Sequence, residues 1–296
     1  IALQLCPKAI RVPPRFDRYI DVSRQVVVIF QEIAELVEHV SLDEAYMDIT
    51  KSVTPTKTPE DIATHLRARV QRELGLTISV GVATSKSVAK IASDMNKPDA
   101  LTVVPPGEES EFLAPLDIEK LPGIGPKTAA RLRDDGINIV ADLVTKPEEW
   151  WIKRFGRTAP YMRRLALGKD LNPVVEHRER KSVSAETTLS VDSGDPEMLL
   201  ELVARLSQRV AHHLGNSGLS GHTVKLKLRL SDFTTFTRQK TLPSPVSSSE
   251  EIAISARSLL TPEIQHGRRF RLIGIGISGF KDGDKLPHQP RLSGLE

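Results

Sequence analysis

The chain has 296 residues, 39% hydrophobic and 27% charged, which suits a soluble chain of two or three domains with a sizeable core. Aromatic residues make up only 4%, which argues against a protein built on stacking of bases or sugars, and Cys6 is the single cysteine, which excludes a disulfide framework or a cysteine-rich metal centre. No apolar run nears the ~20 residues of a membrane helix, and a net charge of +3 with a pI near 8.9 leaves room for locally basic faces. A reducing, cytoplasmic setting is expected. The chain opens on Ile1 rather than Met, and no charged segment precedes an apolar one, so it reads as a fragment without a signal peptide.

Apolar spacing predicts a helix over 22–40, capped by Asp21 or Ser23, and alternation predicts a strand over 45–49. Thr58 opens a second helix, with Pro59 at its first position and Glu60 and Asp61 in its first turn. A strand over 76–82, a helix over 85–95 and a short strand over 100–104 follow. After Pro105-Pro-Gly107 the signal is helical from 116 to 169, and the polar stretch 170–180 reads as a linker. A helix (196–214), strands (223–230 and 236–241), a Pro/Ser-rich turn, a helix (249–260) and a strand (270–277) complete a small two-layer α/β domain. A Pro- and Gly-rich tail begins at Gly279.

Four features carry candidate chemistry. Asp43 and Glu44, in Ser41-Leu-Asp-Glu44, precede a strand; with a backbone turn they serve one hard cation such as Mg²⁺, and without it they are a solvated acidic turn. Leu121-Pro-Gly-Ile-Gly125, followed by Lys127, reads as the hairpin of a helix–hairpin–helix. There Gly123 and Gly125 let a nucleic-acid backbone approach amides at a helix start; a plain glycine turn is the alternative. A degenerate second copy spans Phe155-Gly-Arg157 and Leu165–Gly168. Along 223–230, Lys225, Lys227 and Arg229 share one face and Val224, Leu226, Leu228 and Leu230 the other, so the cations either meet phosphates or are merely solvated. Arg268, Arg269 and Arg271 add to that surface if their strand is adjacent, as do Arg178, Arg180 and Lys181. Last, Lys86 and Lys90 lie one helical turn apart and Lys97 follows the helix, where it either binds anions or caps the helix end. The histidines lack ligand spacing, and no GxxxxGK[ST], GxSxG or HExxH occurs.

The ordered segments SLDEAYMD, GVATSKSVAKIASDMNKP, LPGIGPKTAARL and RERKSVSAETT resemble the Y-family (translesion) DNA polymerases of the bacterial DNA polymerase IV type, and the match covers nearly the whole chain. The resemblance implies an α+β multi-domain fold: an incomplete palm of mixed sheet with helices, an all-helical thumb carrying the helix–hairpin–helix, and a small α/β little finger. By it, residues 1–14 are the end of the fingers, 15–104 the palm, 105–171 the thumb, 172–182 a linker, 183–280 the little finger and 281–296 a flexible tail. It further implies template-directed, low-fidelity synthesis without proofreading, by two Mg²⁺ ions. Asp43 and Glu44 would hold the metal, Lys97 the triphosphate, and Gly123, Gly125, Lys127, Lys181, Lys225, Lys227, Arg229 and Arg271 the DNA.

The implied partners are primer–template DNA, deoxynucleoside triphosphates and a sliding clamp, engaged by a monomer in the bacterial cytoplasm at the nucleoid. Gln289–Leu295 is a weak clamp-motif candidate that lacks the usual paired hydrophobic end. The family's first catalytic aspartate, on a strand reading Asp-x-Asp-x-Phe, would precede Ile1, as would the residue that excludes ribonucleotides and the fingers' Tyr and Arg. This polypeptide is therefore expected to bind DNA and be inactive alone. Two rival readings are a non-catalytic Y-family-like scaffold that binds DNA and clamp, and a helix–hairpin–helix repair factor or nuclease. The second leaves SLDEAYMD unexplained.

Overall fold

A computed structural model describes residues 2–177 and 179–281, in two units that divide between Arg178 and Glu179. In the first unit α1 (Ala2–Leu5) and α2 (Phe16–Gln31) lead into a hairpin of β1 (Leu36–His39) and β2 (Ala45–Asp48). Then come α3 (Pro59–Leu74), β3 (Val80–Val82), α4 (Lys86–Met95) and β4 (Leu101–Val103), with β3 and β4 paired in parallel around α4. Thr58 and Asp61 close a reciprocal capping box on α3, and Gly75 ends that helix in a left-handed turn at φ 68°. Ile29 on α2 packs against Leu66 and Val70 on α3, with Met47, Ile78 and Val80 beside them.

Five short helices follow: α5 (Glu109–Leu113), α6 (Pro126–Asp134), α7 (Val140–Val144), α8 (Glu148–Phe155) and α9 (Ala159–Ala166). Their core includes Leu113, Leu121, Leu132, Trp151 and Leu165, and it is continuous with Val88 and Ile91 of α4. Each such side chain contributes about 1.5–3 kcal/mol by leaving water.

The second unit is a four-stranded antiparallel sheet in the order β5 (Ser182–Ser193), β8 (Phe270–Ser278), β6 (Gly221–Leu230), β7 (Thr235–Val246). The helices α10 (Pro196–Ser217) and α11 (Ser249–Leu260) bury Leu199, Leu206, Ile252 and Leu260 against its inner face.

Several sequence expectations need correction. The helix placed over 22–40 runs from Phe16 to Gln31, so Asp21 and Ser23 lie inside it and Arg15 precedes it without a side-chain cap. Leu36 and Val37 extend the helical spacing by coincidence. They belong to β1, whose backbone groups pair with β2. Of the strand expected over 76–82, only Val80–Val82 has a partner.

The strand β5 stands outside the expected elements, although Val183 and Ala185 alternate as buried residues with exposed neighbours. β7 continues through the expected Pro/Ser turn to Val246. Pro243 and Pro245 are tolerated because β7 is an edge strand, which does not need every N–H. In the polar stretch 170–180, Asp170 accepts from the Ser87 N–H at 3.3 Å and the Val175 N–H donates to Glu38 at 3.0 Å. Arg178 and Gln289–Leu295 lie outside the described residues.

Candidate active site

The turn from β1 to β2 decides how the two carboxylates present themselves. The N–H groups of Val40 and Ser41 both donate to the Glu44 carbonyl, at 3.0 and 3.2 Å, so the chain reverses over 40–44. Ser41 then fixes the acid, its hydroxyl donating to Asp43 Oδ1 at 2.5 Å and accepting from the Asp43 N–H at 3.3 Å. Because of this reversal, Asp43 and Glu44 line one cleft of about 990 Å³ instead of pointing to opposite faces of a strand. The same cleft is lined by Lys90 and Lys97, with Val26, Phe30 and Met47 on its apolar side.

Helix α4 brings the cations. Lys90 donates to Glu44 Oε1 and lies 3.4 Å from Asp94 Oδ2, while Lys97 Nζ lies 2.5 Å from Asp94 Oδ1. Asp94 is therefore shared by both lysines. Burial works to raise the Asp94 pKa, yet the Lys97 hydrogen bond and the Lys90 charge outweigh it, and the carboxyl titrates below its ordinary value. Burial likewise opposes the Lys90 charge, but its bond to Glu44 and the Asp94 carboxylate raise its pKa. The Tyr46 hydroxyl is pushed up by burial, against the pull of Lys90.

Lys86, one turn before Lys90, pairs with Glu38 on β1, so the two lysines hold the hairpin near its turn from both of its arms. The signals for this network, Lys90–Asp94 at i,i+4 and Asp94–Lys97 at i,i+3, stood in the sequence. Glu38 as a partner did not, because it lies 48 residues from Lys86.

Two adjacent carboxylates on a turn, one of them bonded among the described residues only to Ser41, are a donor set that fits a hard, oxygen-seeking cation. Among the described residues no group of three or more His, Cys, Asp or Glu side chains gathers to hold an ion.

The glycine hairpin is built as its pattern suggests. Leu121 and Ile124 are buried at 2% and 3% exposure and anchor it, while Gly123 turns at φ 92°. A side chain at Gly123 would be strained there and would stand 3.3 Å from Met162 Sδ. Gly125 precedes α6 without a side-chain cap, and Pro126 takes the first helical position. Lys127 is exposed beside these helix-start amides. Around the suggested second copy, Gly156 opens a short turn of 3₁₀ helix between α8 and α9.

In the second unit Val224, Leu226 and Leu228 are fully buried, and Lys225, Lys227 and Arg229 take the opposite face of β6. That face is less cationic than the strand alone suggests. Glu186 reaches Lys227 at 2.8 Å across Gly274 of β8, where a Cβ would approach Glu186 Cβ to 2.9 Å. Arg229 donates to the Thr235 hydroxyl, whereas Lys225 makes no ion pair among the described residues.

Arg271 does not stand open on this face. It binds both oxygens of Asp192, at 3.1 and 2.9 Å, and its guanidinium lies 4.2 Å from the Phe233 ring. Arg268 holds Glu263, and Arg269 the Asp192 carbonyl, so these arginines brace the fold. Lys181 is exposed just before β5.

The impB/mucB/samB family matches residues 1–94, the helix–hairpin–helix motif of that family 106–137, and its C-terminal domain 180–292. The chain is 38% identical over 293 residues to DNA polymerase IV 2 of Agrobacterium fabrum, spanning 98% of this chain and 82% of that one. It is 41% identical over 279 residues to DNA polymerase IV of Alkalilimnicola ehrlichii, spanning 94% and 78%.

Among solved structures, a Y-family DNA polymerase chimera of Dbh and Dpo4 superposes with a TM-score of 0.82 at 28% identity, over 94% of this chain and 81% of that one. An insertion ternary complex of Dbh DNA polymerase gives a TM-score of 0.62 at 27% identity, over the same shares. The chain belongs to the impB/mucB/samB family, the Y-family DNA polymerases of the DNA polymerase IV type.

Proposed function

We propose that this chain, by family a DNA-directed DNA polymerase of translesion synthesis, uses the Asp43–Glu44 turn as part of its nucleotidyl-transfer centre with two Mg²⁺ ions. The observation that carries the reading is the convergence of two carboxylates and two lysines on one cleft. Asp43 and Glu44 are the residues that would hold the metal. Bound there, Mg²⁺ supplies Lewis acidity to an in-line displacement at phosphorus. Lys97 offers a point charge to the triphosphate of the incoming nucleotide, its ammonium exchanging Asp94 for phosphate oxygens. Lys90 keeps Glu44 turned toward the helix and offsets its charge.

Two ions need more oxygen ligands than Asp43 and Glu44 offer. Among the described residues β2 pairs only with β1 and β3 only with β4, and residues of β2 and β3 both line the cleft. A further strand on these edges, carrying a third carboxylate, would complete the set. The 296 residues by themselves are thus expected to bind duplex DNA without extending a primer.

The helix start at Gly123, Gly125 and Lys127 and the cations Lys181, Lys225, Lys227 and Arg229 would meet the primer–template through its phosphates, so binding should be sequence-independent and salt-sensitive. Arg271, committed to Asp192, contributes less. We assign residues 15–104 to the palm, 105–171 to the thumb, 172–182 to the linker and 183–280 to the little finger, with 1–14 ending the fingers. The protein would act as a monomer at the bacterial nucleoid with a sliding clamp. No helix of the described residues is long and apolar enough to cross a membrane.

Primer extension with Mg²⁺ and four deoxynucleotides, run beside a salt-titrated duplex-binding control, tests the reading. Asp43→Ala in the active polymerase should abolish extension and leave duplex affinity intact. Extension retained by that variant would sink the assignment, and extension by the 296 residues alone would remove the need for a third carboxylate.

A further inference from the structure

The turn that carries Lys97 joins the end of α4 to β4 and is held from several sides. The Lys97 ammonium rests on Asp94 at 2.5 Å. At the far end the Ala100 carbonyl accepts the Val80 N–H at 2.8 Å, which sets the start of β4. Between them, Arg67 on α3 donates through one guanidinium nitrogen to both the Asp99 carbonyl, at 2.5 Å, and the Asp99 carboxylate, at 2.9 Å.

The φ of Asp99 is +48°, a left-handed conformation that a residue with a side chain adopts at some cost, least for Asn and Asp, and the Arg67 bonds hold it there. Lys97, Pro98 and Asp99 line the cleft, and Arg67 does not. Arg67 pairs with no other carboxylate among the described residues.

We propose that Arg67 is a positioning residue for Lys97: by clamping Asp99 it fixes the backbone from which the lysine reaches the triphosphate. The proposal rests on Lys97 as the phosphate-binding lysine. A lysine ends in a point charge on a flexible stem, so once its ammonium leaves Asp94 for phosphate oxygens only its backbone keeps a fixed place. A loosened turn spreads the ammonium over several positions, and misplacement by about 1 Å is enough to weaken a reacting complex strongly. Arg67 itself stays behind the turn and touches no phosphate.

The test is equilibrium titration of a matched deoxynucleoside triphosphate onto the polymerase bound to a dideoxy-terminated primer–template, which reads affinity without chemistry. Arg67→Met should raise the nucleotide Kd about tenfold, the size expected from losing a charge-assisted hydrogen bond. Lys97→Ala should raise it at least as much. Within a Lys97→Ala background, Arg67→Met should change Kd by less than about twofold, because the two act through one contact. Arg67→Lys should restore part of the affinity.

No effect of Arg67→Met, or an undiminished effect in the Lys97→Ala background, would overturn the positioning role while leaving Lys97 in place. An unchanged Kd in Lys97→Ala would instead refute the reading of Lys97, and the proposal with it. Should Arg67→Met fail to fold, Asp99→Gly removes the carboxylate anchor in a residue that accepts the left-handed turn. It should move Kd in the same direction, and an unchanged value would count against the clamp.

Discussion

Lys86→Met removes one half of an ion pair that the fold has taken almost wholly out of water. Side-chain exposure is 10% for Lys86 and 1% for Glu38. The same lysine donates to the Pro173 carbonyl at 3.1 Å and lies 5.0 Å from the Tyr46 ring, so its removal costs three contacts at once. Glu38 keeps its bond from the Val175 N–H at 3.0 Å but loses the cation that offsets its charge. Breaking a buried pair from one side typically costs about 3–5 kcal/mol. The surviving Val175 bond places this case near the lower end, about 3 kcal/mol.

Glu38→Gln added to Lys86→Met removes the carboxylate charge and keeps an acceptor for Val175, so the double variant should recover all but about 1 kcal/mol. Trp150 and Trp151 are the two tryptophans of the chain and both lie in α8, so their fluorescence follows the first unit alone during urea unfolding. With a slope of about 2 kcal/mol/M, the single variant should lower the midpoint by about 1.5 M. A shift under about 0.5 M, or a double variant as unstable as the single one, would refute the reasoning.

Acid should weaken the same unit. Asp142 is held below the usual carboxylate range by the N–H groups of Asn138 and Ile139, Asp117 by the Glu119 N–H and Arg133, and Glu109 first by the Thr84 hydroxyl. Lowered carboxylates contribute stability that is present above their unfolded pKa, about 4, and is lost as pH falls through the folded values. The tryptophan-detected midpoint should therefore hold from pH 7 to about 5 and then fall, less steeply in Asp142→Asn; a midpoint flat to pH 3 would contradict this. On the second unit, Lys225→Ala should weaken duplex binding more than Lys227→Ala, because Glu186 already offsets Lys227. The Lys225 change should reduce the salt slope by about 1, and equal effects from the two would show that the Glu186 pair is open in the complex.

Local chemistry made much of this protein readable. Thr58, Pro59 and Asp61 announce α3 because a capping box is satisfied within four residues. The alternation of 224–230 announces β6, since one face must be apolar wherever a sheet lies on helices. The glycine hairpin at 121–125 is equally local. β1 hides within a helical pattern because Leu36 and Val37 continue a helical spacing, and only the partner strand Ala45–Asp48 makes an extended backbone the better choice there. Arg271 looked like an open cation for the same reason: Asp192, its partner, is 79 residues away.

The residue types of the site, Asp43, Glu44, Lys90 and Lys97, and their order along the chain were decided by sequence alone, and the family resemblance rested on that order. Tertiary structure decided what each of them faces. The reversal at 40–44 turns two neighbouring carboxylates into one cleft, α4 lays its lysines along the hairpin, and Arg67 closes on a strained Asp99 from another helix. Those contacts join residues up to 48 apart, and no local spacing encodes them, because an ion pair depends on distance in space and on exclusion of water. Both conditions arise only when the helices and strands pack.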